Sequence, residues 1–143
     1  MDLTKAPPRS PYEKLGGITF LPRAIDKLRA HIAGTAGEYN AKTGYSTQLF
    51  ALFGVTADEF EQIVREHDTD EAVLQALLAR KPLSEAEIEE WNQRSIDRTP
   101  TDEAGWARHY KMLEDAGYGH RKDVRTMYDR LDLDDGREVP IRS

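Results

Sequence analysis

The sequence predicts an all-α protein: a single compact bundle of about six or seven short helices with an extended N-terminal arm. Three observations predict it. Apolar residues recur at helical spacing in one segment after another. Capping signals stand directly in front of several of those segments. Residues 1–20, by contrast, hold three prolines and an adjacent glycine pair, a composition that resists helix.

The elements follow in order. Pro7, Pro8 and Pro11 stiffen the arm, and Gly16-Gly17 supplies a turn. Ile18-Thr19-Phe20 then forms either a short β bridge or a packed stretch of arm. Pro22 suits the first turn of a helix, which Leu21, Ile25, Leu28 and Ile32 mark with one apolar stripe. Gly34 and Gly37 end it. Ser46 to Phe53 reads as a short helix burying Leu49, Phe50, Leu52 and Phe53, closed by Gly54. Thr56 and Glu59 form a capping box, with Val55 and Phe60 as its hydrophobic staple. Asp68 and Glu71 make a similar pair before Val73, Leu74, Leu77 and Leu78. Ser84 and Glu87 repeat the box before Ile88 and Trp91. After Arg98-Thr99-Pro100 breaks the pattern, a helix from about Glu103 to Ala116 carries Trp106, Tyr110 and Leu113. A last amphipathic segment holds Val124, Met127, Tyr128 and Leu131.

The whole-chain properties bound the function. A length of 143 residues is the size of one domain, spanning residues 1–143 with the arm packed on it. The formal net charge of -6 argues against a duplex nucleic acid partner, since phosphate contacts need a clustered positive field. With no cysteine, disulfides and thiolate chemistry are excluded. No apolar run approaches the ~20 residues a bilayer requires. The first residues do not read as a secretory signal, so no membrane contact and a cytoplasmic location are expected.

The charges on the first helix are the feature that folding explains least. On a wheel centred on the Leu21/Ile25/Leu28/Ile32 stripe, Arg29 lies about 80° off centre. Asp26 lies further round, and Arg23 and Lys27 point away from the core. The plain reading is an Arg23–Asp26–Arg29 ladder of surface ion pairs. The functional reading has Arg29 and Lys27 presenting positive charge to a carboxylate or phosphate, for which arginine offers a planar fork.

Other constellations are weaker. Around Gly136, the tail Asp132-Leu133-Asp134-Asp135-Gly136-Arg137 fails as a calcium loop. Leu131 and Leu133 fall where oxygen ligands are needed, and Arg142 where a glutamate is. The aspartates are expected to solvate a turn, with Arg137 answering their charge. His31, His67, His109 and His120 show no zinc spacing, and Glu66-His67-Asp68-Thr69-Asp70 sits where helix caps are needed. Carboxylate pairs such as Glu87/Glu90 and Asp129/Asp132 read as solvated helix surface. Trp106 and Tyr110 form an aromatic ledge. Trp91 belongs in the core, while Asn92 caps, bridges helices or reads a ligand. No hydrolytic nucleophile elbow or Walker loop occurs.

The strings Pro8-Arg9-Ser10-Pro11, Leu15-Gly16-Gly17, Leu21-Pro22-Arg23, Ile25-Asp26-Lys27 and Arg29-Ala30 resemble the signature of a bacterial family of uncharacterised small proteins. Gly34, Tyr39, Gly54-Val55, Asp70-Glu71, Trp91-Asn92 and Leu131 to Arg137 extend the resemblance over nearly the whole chain. It implies one domain of unknown function and lends no catalytic role to any residue. The expected function is therefore a non-enzymatic binding domain that uses the arm and the Arg23–Arg29 helix as a charged surface for a protein segment or small anionic ligand. Arg23, Asp26, Lys27, Arg29, Tyr39, Asn92 and Arg137 are the candidate binding residues, with no catalytic residue, metal or cofactor. The alternative is an enzyme whose site assembles from Asp26, Lys27, His31 and the Asp132–Arg137 turn.

Overall fold

The computed structural model describes residues 1–142. These form one two-stranded hairpin and seven helices, so the all-α expectation holds. The chain divides into two compact units, the first being Met1–Asn92 and the second beginning at Gln93.

In the first unit, β1 (Lys14–Leu15) and β2 (Ile18–Thr19) pair antiparallel, Lys14 opposite Thr19 and Leu15 opposite Ile18. The tight turn between them puts Gly16 and Gly17 at φ 59° and 80°, the left-handed pair that a two-residue hairpin loop needs. Gly16 is required a second time. A Cβ there would lie 2.6 Å from the Leu74 side chain.

Helix α1 (Leu21–Ala33) starts from Phe20, held at φ 73° with no side-chain cap, and places Pro22 in its first turn. Short helix α2 (Ser46–Leu52) follows, burying Leu49 and Phe50, with Phe53 buried just beyond it and Leu52 only half-buried. Helix α3 (Ala57–Glu66) opens on the Thr56/Glu59 capping box as expected. Helix α4 (Asp70–Arg80) differs by one residue. Thr69, extended at φ −117°, accepts from the Ala72 amide, so the cap is Thr69 rather than Asp68. Helix α5 (Glu85–Ile96) opens on the reciprocal Ser84–Glu87 bonds, each 3.1 Å. The boundary between the units falls inside it, after Asn92.

Helix α1 packs against α3 and the hairpin. Leu21, Ala24, Ile25 and Leu28 are fully buried, together with Ile18, Leu49, Phe60, Val73, Leu77 and Trp91. Each side chain of leucine size so buried favours folding by roughly 1.5–3 kcal/mol. The expected outward face of α1 does not face water. Every residue from Leu21 to Leu28 is buried, Arg23, Asp26 and Lys27 included, and only Ile32 of the stripe is half-exposed. An amphipathic wheel assumes solvent opposite the core. Here the arm lies across that side.

The second unit is built on α6 (Glu103–Asp115) and α7 (Met127–Asp134), which pack together. Asp102 caps α6 by accepting from the Gly105 amide at 2.7 Å, and Thr126 caps α7. Leu113, Val124, Leu133 and Val139 form the core, with Tyr110 and Tyr118 against it. The C-terminal segment is fastened by side chains. Arg121 donates to the Val139 and Pro140 carbonyls, and Arg142 grips the buried Asp129 at 2.6 Å. Among the described residues, no helix is long and apolar enough to cross a membrane.

Candidate functional site

Arg9 organises the arm–α1 region. Its backbone amide donates to Asp26 Oδ2 at 2.9 Å, and its guanidinium reaches both oxygens of the same carboxylate at 3.1 and 3.0 Å. It also donates to Asp70 on α4 at 2.8 Å and to the Pro22 carbonyl at 3.3 Å. Partial burial disfavours the charge of Arg9, but hydrogen bonds to Asp70 and Asp26 outweigh it and hold the guanidinium above its ordinary pKa. Arg23 answers in the other direction, donating to the Arg9 carbonyl at 3.2 Å, with Tyr39 5.9 Å from its guanidinium carbon.

The expected ladder is therefore replaced by a clasp between arm and helix. Arg29 does not meet Asp26; it donates to the His67 carbonyl at 3.0 Å. Lys27 lies over the Phe20 ring at 5.6 Å. His31 is drawn to Glu61 at 3.2 Å, where Lys42 and Arg65 lower the Glu61 pKa to about 2.

Asn92 bridges. Its amide nitrogen donates to the Gly17 carbonyl at 2.7 Å and its oxygen accepts from the Thr19 amide at 2.9 Å, while Trp91 Nε1 donates to the Thr19 carbonyl at 3.0 Å. Both side chains thus read the backbone of the hairpin. In the second unit, Arg137 pairs with Asp135 at 3.0 Å and Asp132 at 3.6 Å around Gly136, which sits at φ 85°. Two of the aspartates expected on solvated surface are not there. Asp129 and Asp132 are buried, because Arg142 and Arg137 supply the counter-charge that burial demands. Among the described residues, no three metal-ligating side chains come together.

A second region, absent from the sequence expectations, is a cleft of about 310 Å³ beside the first turns of α6. Arg98, Arg108, Arg130 and His109 line it, with Asp102 as the one carboxylate among the described residues and Thr99, Thr101, Pro100, Met112 and Met127 between them. Arg130 is the unusual member. Its Nη1 lies 3.0 Å from Met112 Sδ, a weak acceptor, and its buried Nε has no hydrogen-bond partner. Burial lowers its pKa, with the charge of Asp134 acting the other way. Neither Arg130 nor Arg108 forms an ion pair with any described residue.

His109 forms one wall. Its Nε2 lies 2.7 Å from the Val124 carbonyl; because a carbonyl only accepts, this nitrogen carries the hydrogen. Trp106 and Tyr110 meet its ring edge-to-face at 5.7 and 5.2 Å. Burial lowers its pKa; the Val124 bond opposes this, while Arg130 and Arg125 add to it. A histidine kept neutral by the fold takes up its proton more readily when unfolded. Its contribution to stability is complete above the unfolded pKa of about 6.5 and declines as the pH falls below it. Thermal melts from pH 8 to pH 5 should show that decline in the protein, and a shallower one in His109→Gln. Equal slopes would remove His109 as its source.

Gly105, Arg108, His109 and Met112 recur at three- and four-residue spacing, so one face of α6 carrying a cation beside a histidine was legible. The meeting with Arg130 and Arg98 was not.

Comparison with curated proteins gives no match to the chain. Residues 5–137 match the family described as Domain of unknown function (DUF5069), and by that match over nearly its whole length the chain belongs to the DUF5069 family.

Proposed function

We propose that the protein is a non-enzymatic binding domain for a small anionic ligand, held in the cleft of Arg98, Arg108, His109 and Arg130. The observation that carries this reading is Arg130, half-buried beside open space, with a buried Nε that has no hydrogen-bond partner and, among the described residues, no carboxylate paired to it. A buried cation without a partner is costly, and an incoming anion relieves that cost. The arm and α1 fit the role less well, since Arg23, Asp26 and Lys27 are buried and Asp26 is held by Arg9. A cytoplasmic location and the absence of a duplex nucleic acid partner go with this reading, in keeping with the net charge of -6.

The test is calorimetric titration with phosphate, sulfate, citrate and acetate. Arg130→Met should keep the helical circular dichroism and weaken the anion that binds best by about 10–100-fold, the worth of ~1.5–3 kcal/mol for hydrogen bonds to a charged group. Undiminished binding by the variant would move the site elsewhere.

A second reading keeps the arm and α1 as a docking face for a protein segment. It is favoured by the Arg9–Asp70 pair, both of whose side chains are about one-third exposed and so within a partner's reach. The enzyme reading has less support. Of its proposed groups, Asp26 is held by Arg9, His31 pairs with Glu61, and Asp132 and Asp135 answer Arg137.

A further inference from the structure

We propose that Met112 is a site of reversible oxidation whose sulfoxide is held by Arg130. Nothing in this requires a ligand, so it stands apart from the anion-binding reading of the same cleft. Accessibility is the first observation. Met112, near the end of α6, is 48% exposed and lines the cleft, so a small oxidant reaches it. Met127, in the same lining, is half-buried at the start of α7.

What Met112 touches is the second observation. Arg130 on α7 donates through Nη1 to the Met112 sulfur at 3.0 Å. A thioether is a weak acceptor, and the rest of the guanidinium is poorly served. Its Nε is buried with no hydrogen-bond partner, and among the described residues no carboxylate pairs with it. Asp134, one turn along α7, acts on it only as a nearby charge. The S–O bond of a sulfoxide is strongly polar, with its negative end on oxygen. Oxidation therefore turns the same side chain from a poor acceptor into a good one. In an apolar setting that change disrupts packing; beside a half-buried cation short of acceptors it supplies a charge-assisted hydrogen bond.

The oxidant is a hydroperoxide, in the simplest case hydrogen peroxide. The sulfur gives an electron pair to one peroxide oxygen, the O–O bond breaks, and the second oxygen leaves as hydroxide. Hydroxide takes the proton of the new S–OH group, giving sulfoxide and water. Sulfur is oxidised, and the peroxide reduced, by two electrons. Arg130 engages one of the two sulfur lone pairs, which leaves the other for the oxidant. The soft terminal torsions of methionine then let the oxygen swing to Nη1, so Arg130 positions the product and takes no part in the bond changes. Two thiols of a sulfoxide reductase system return the thioether, forming a disulfide and water.

The experiment treats the full chain with limiting hydrogen peroxide, locates sulfoxide by peptide mass mapping and compares thermal melts before and after. Met112 should gain one oxygen alongside Met1, which is 53% exposed, and ahead of Met127. The oxidised parent should melt no lower than the untreated protein, whereas Arg130→Leu should melt lower once oxidised. The two shifts should differ by about 4 °C or more, the worth of one hydrogen bond to a charged group in a chain of this size. Met112→Leu should show neither shift. Met112→Gln carries a permanent amide oxygen at an exposed position and should melt above Met112→Leu, which keeps the test decisive should Arg130→Leu fail to fold. Methionine sulfoxide reductase with dithiothreitol should restore the original mass at Met112. Met112 left unoxidised while Met1 is converted, or a mass that the reductase does not restore, overturns the reversible site. Equal shifts in the parent and Arg130→Leu, or Met112→Gln melting below Met112→Leu, overturn the hold of Arg130 on the sulfoxide.

Discussion

Replacing Trp91 with alanine is expected to destabilise the protein by about 3–5 kcal/mol, enough to unfold a domain of ordinary marginal stability at raised temperature. The indole is fully buried and stacks on Tyr45 at 5.4 Å with an interplanar angle of 25°, and Tyr45 meets Phe20 edge-on at 5.5 Å. Those three rings fasten α5 to the start of α1. Trp91 Nε1 also satisfies the Thr19 carbonyl, so truncation leaves a cavity and an unpaired acceptor together. Trp91→Phe separates the two contributions. It keeps a ring and loses the donor, and should cost about 1–3 kcal/mol. Urea unfolding followed by far-ultraviolet circular dichroism measures both. An alanine variant within ~1 kcal/mol of the parent would show that this packing is not what holds the hairpin to the helices.

Asp26→Asn is expected to cost about 2–3 kcal/mol, because Arg9 Nε, Nη2 and backbone amide all converge on a carboxylate whose side chain is only 5% exposed. The figure sits below that for a fully enclosed pair because the Arg9 side chain is 35% exposed and water screens part of its charge. Asp70→Asn, at the other end of the same guanidinium but about one-third exposed, should cost less than about 1 kcal/mol. The contrast is the test. Equal losses at Asp26 and Asp70 would mean that the arm is not held through α1. Limited proteolysis supplies a second measurement, since loss of the clasp should speed cleavage around Pro7–Pro11 before the helices open.

Several features of the fold were legible residue by residue. Gly16-Gly17 announced a turn, Thr56/Glu59 and Ser84/Glu87 announced helix starts, and each lies where it was expected. The α4 cap moved by one residue because Asp68 and Thr69 are both good caps, and backbone geometry chose Thr69. The wheel drawn for α1 placed Arg29 well, half-buried at the edge of the stripe. It misplaced Arg23 and Lys27, because a wheel describes one helix and carries no term for an arm laid over it. Asp129 and Asp132 were misread for a similar reason. Their cations, Arg142 and Arg137, come from beyond the helix that carries them.

The division follows the range of the forces. Helix periodicity, caps and the hairpin turn depend on neighbours within about four residues, so the sequence by itself determined an all-α chain with its element order. Arg9 reaches Asp26 across 17 positions and Asp70 across 61, and Arg130 lines a cleft with residues of two other segments. Whether a charge is paired, buried or left facing open space depends on those distant meetings. Only the tertiary structure decided that the charges of α1 are clasped by the arm, and that Arg130 lines a cleft with a buried Nε that has no hydrogen-bond partner.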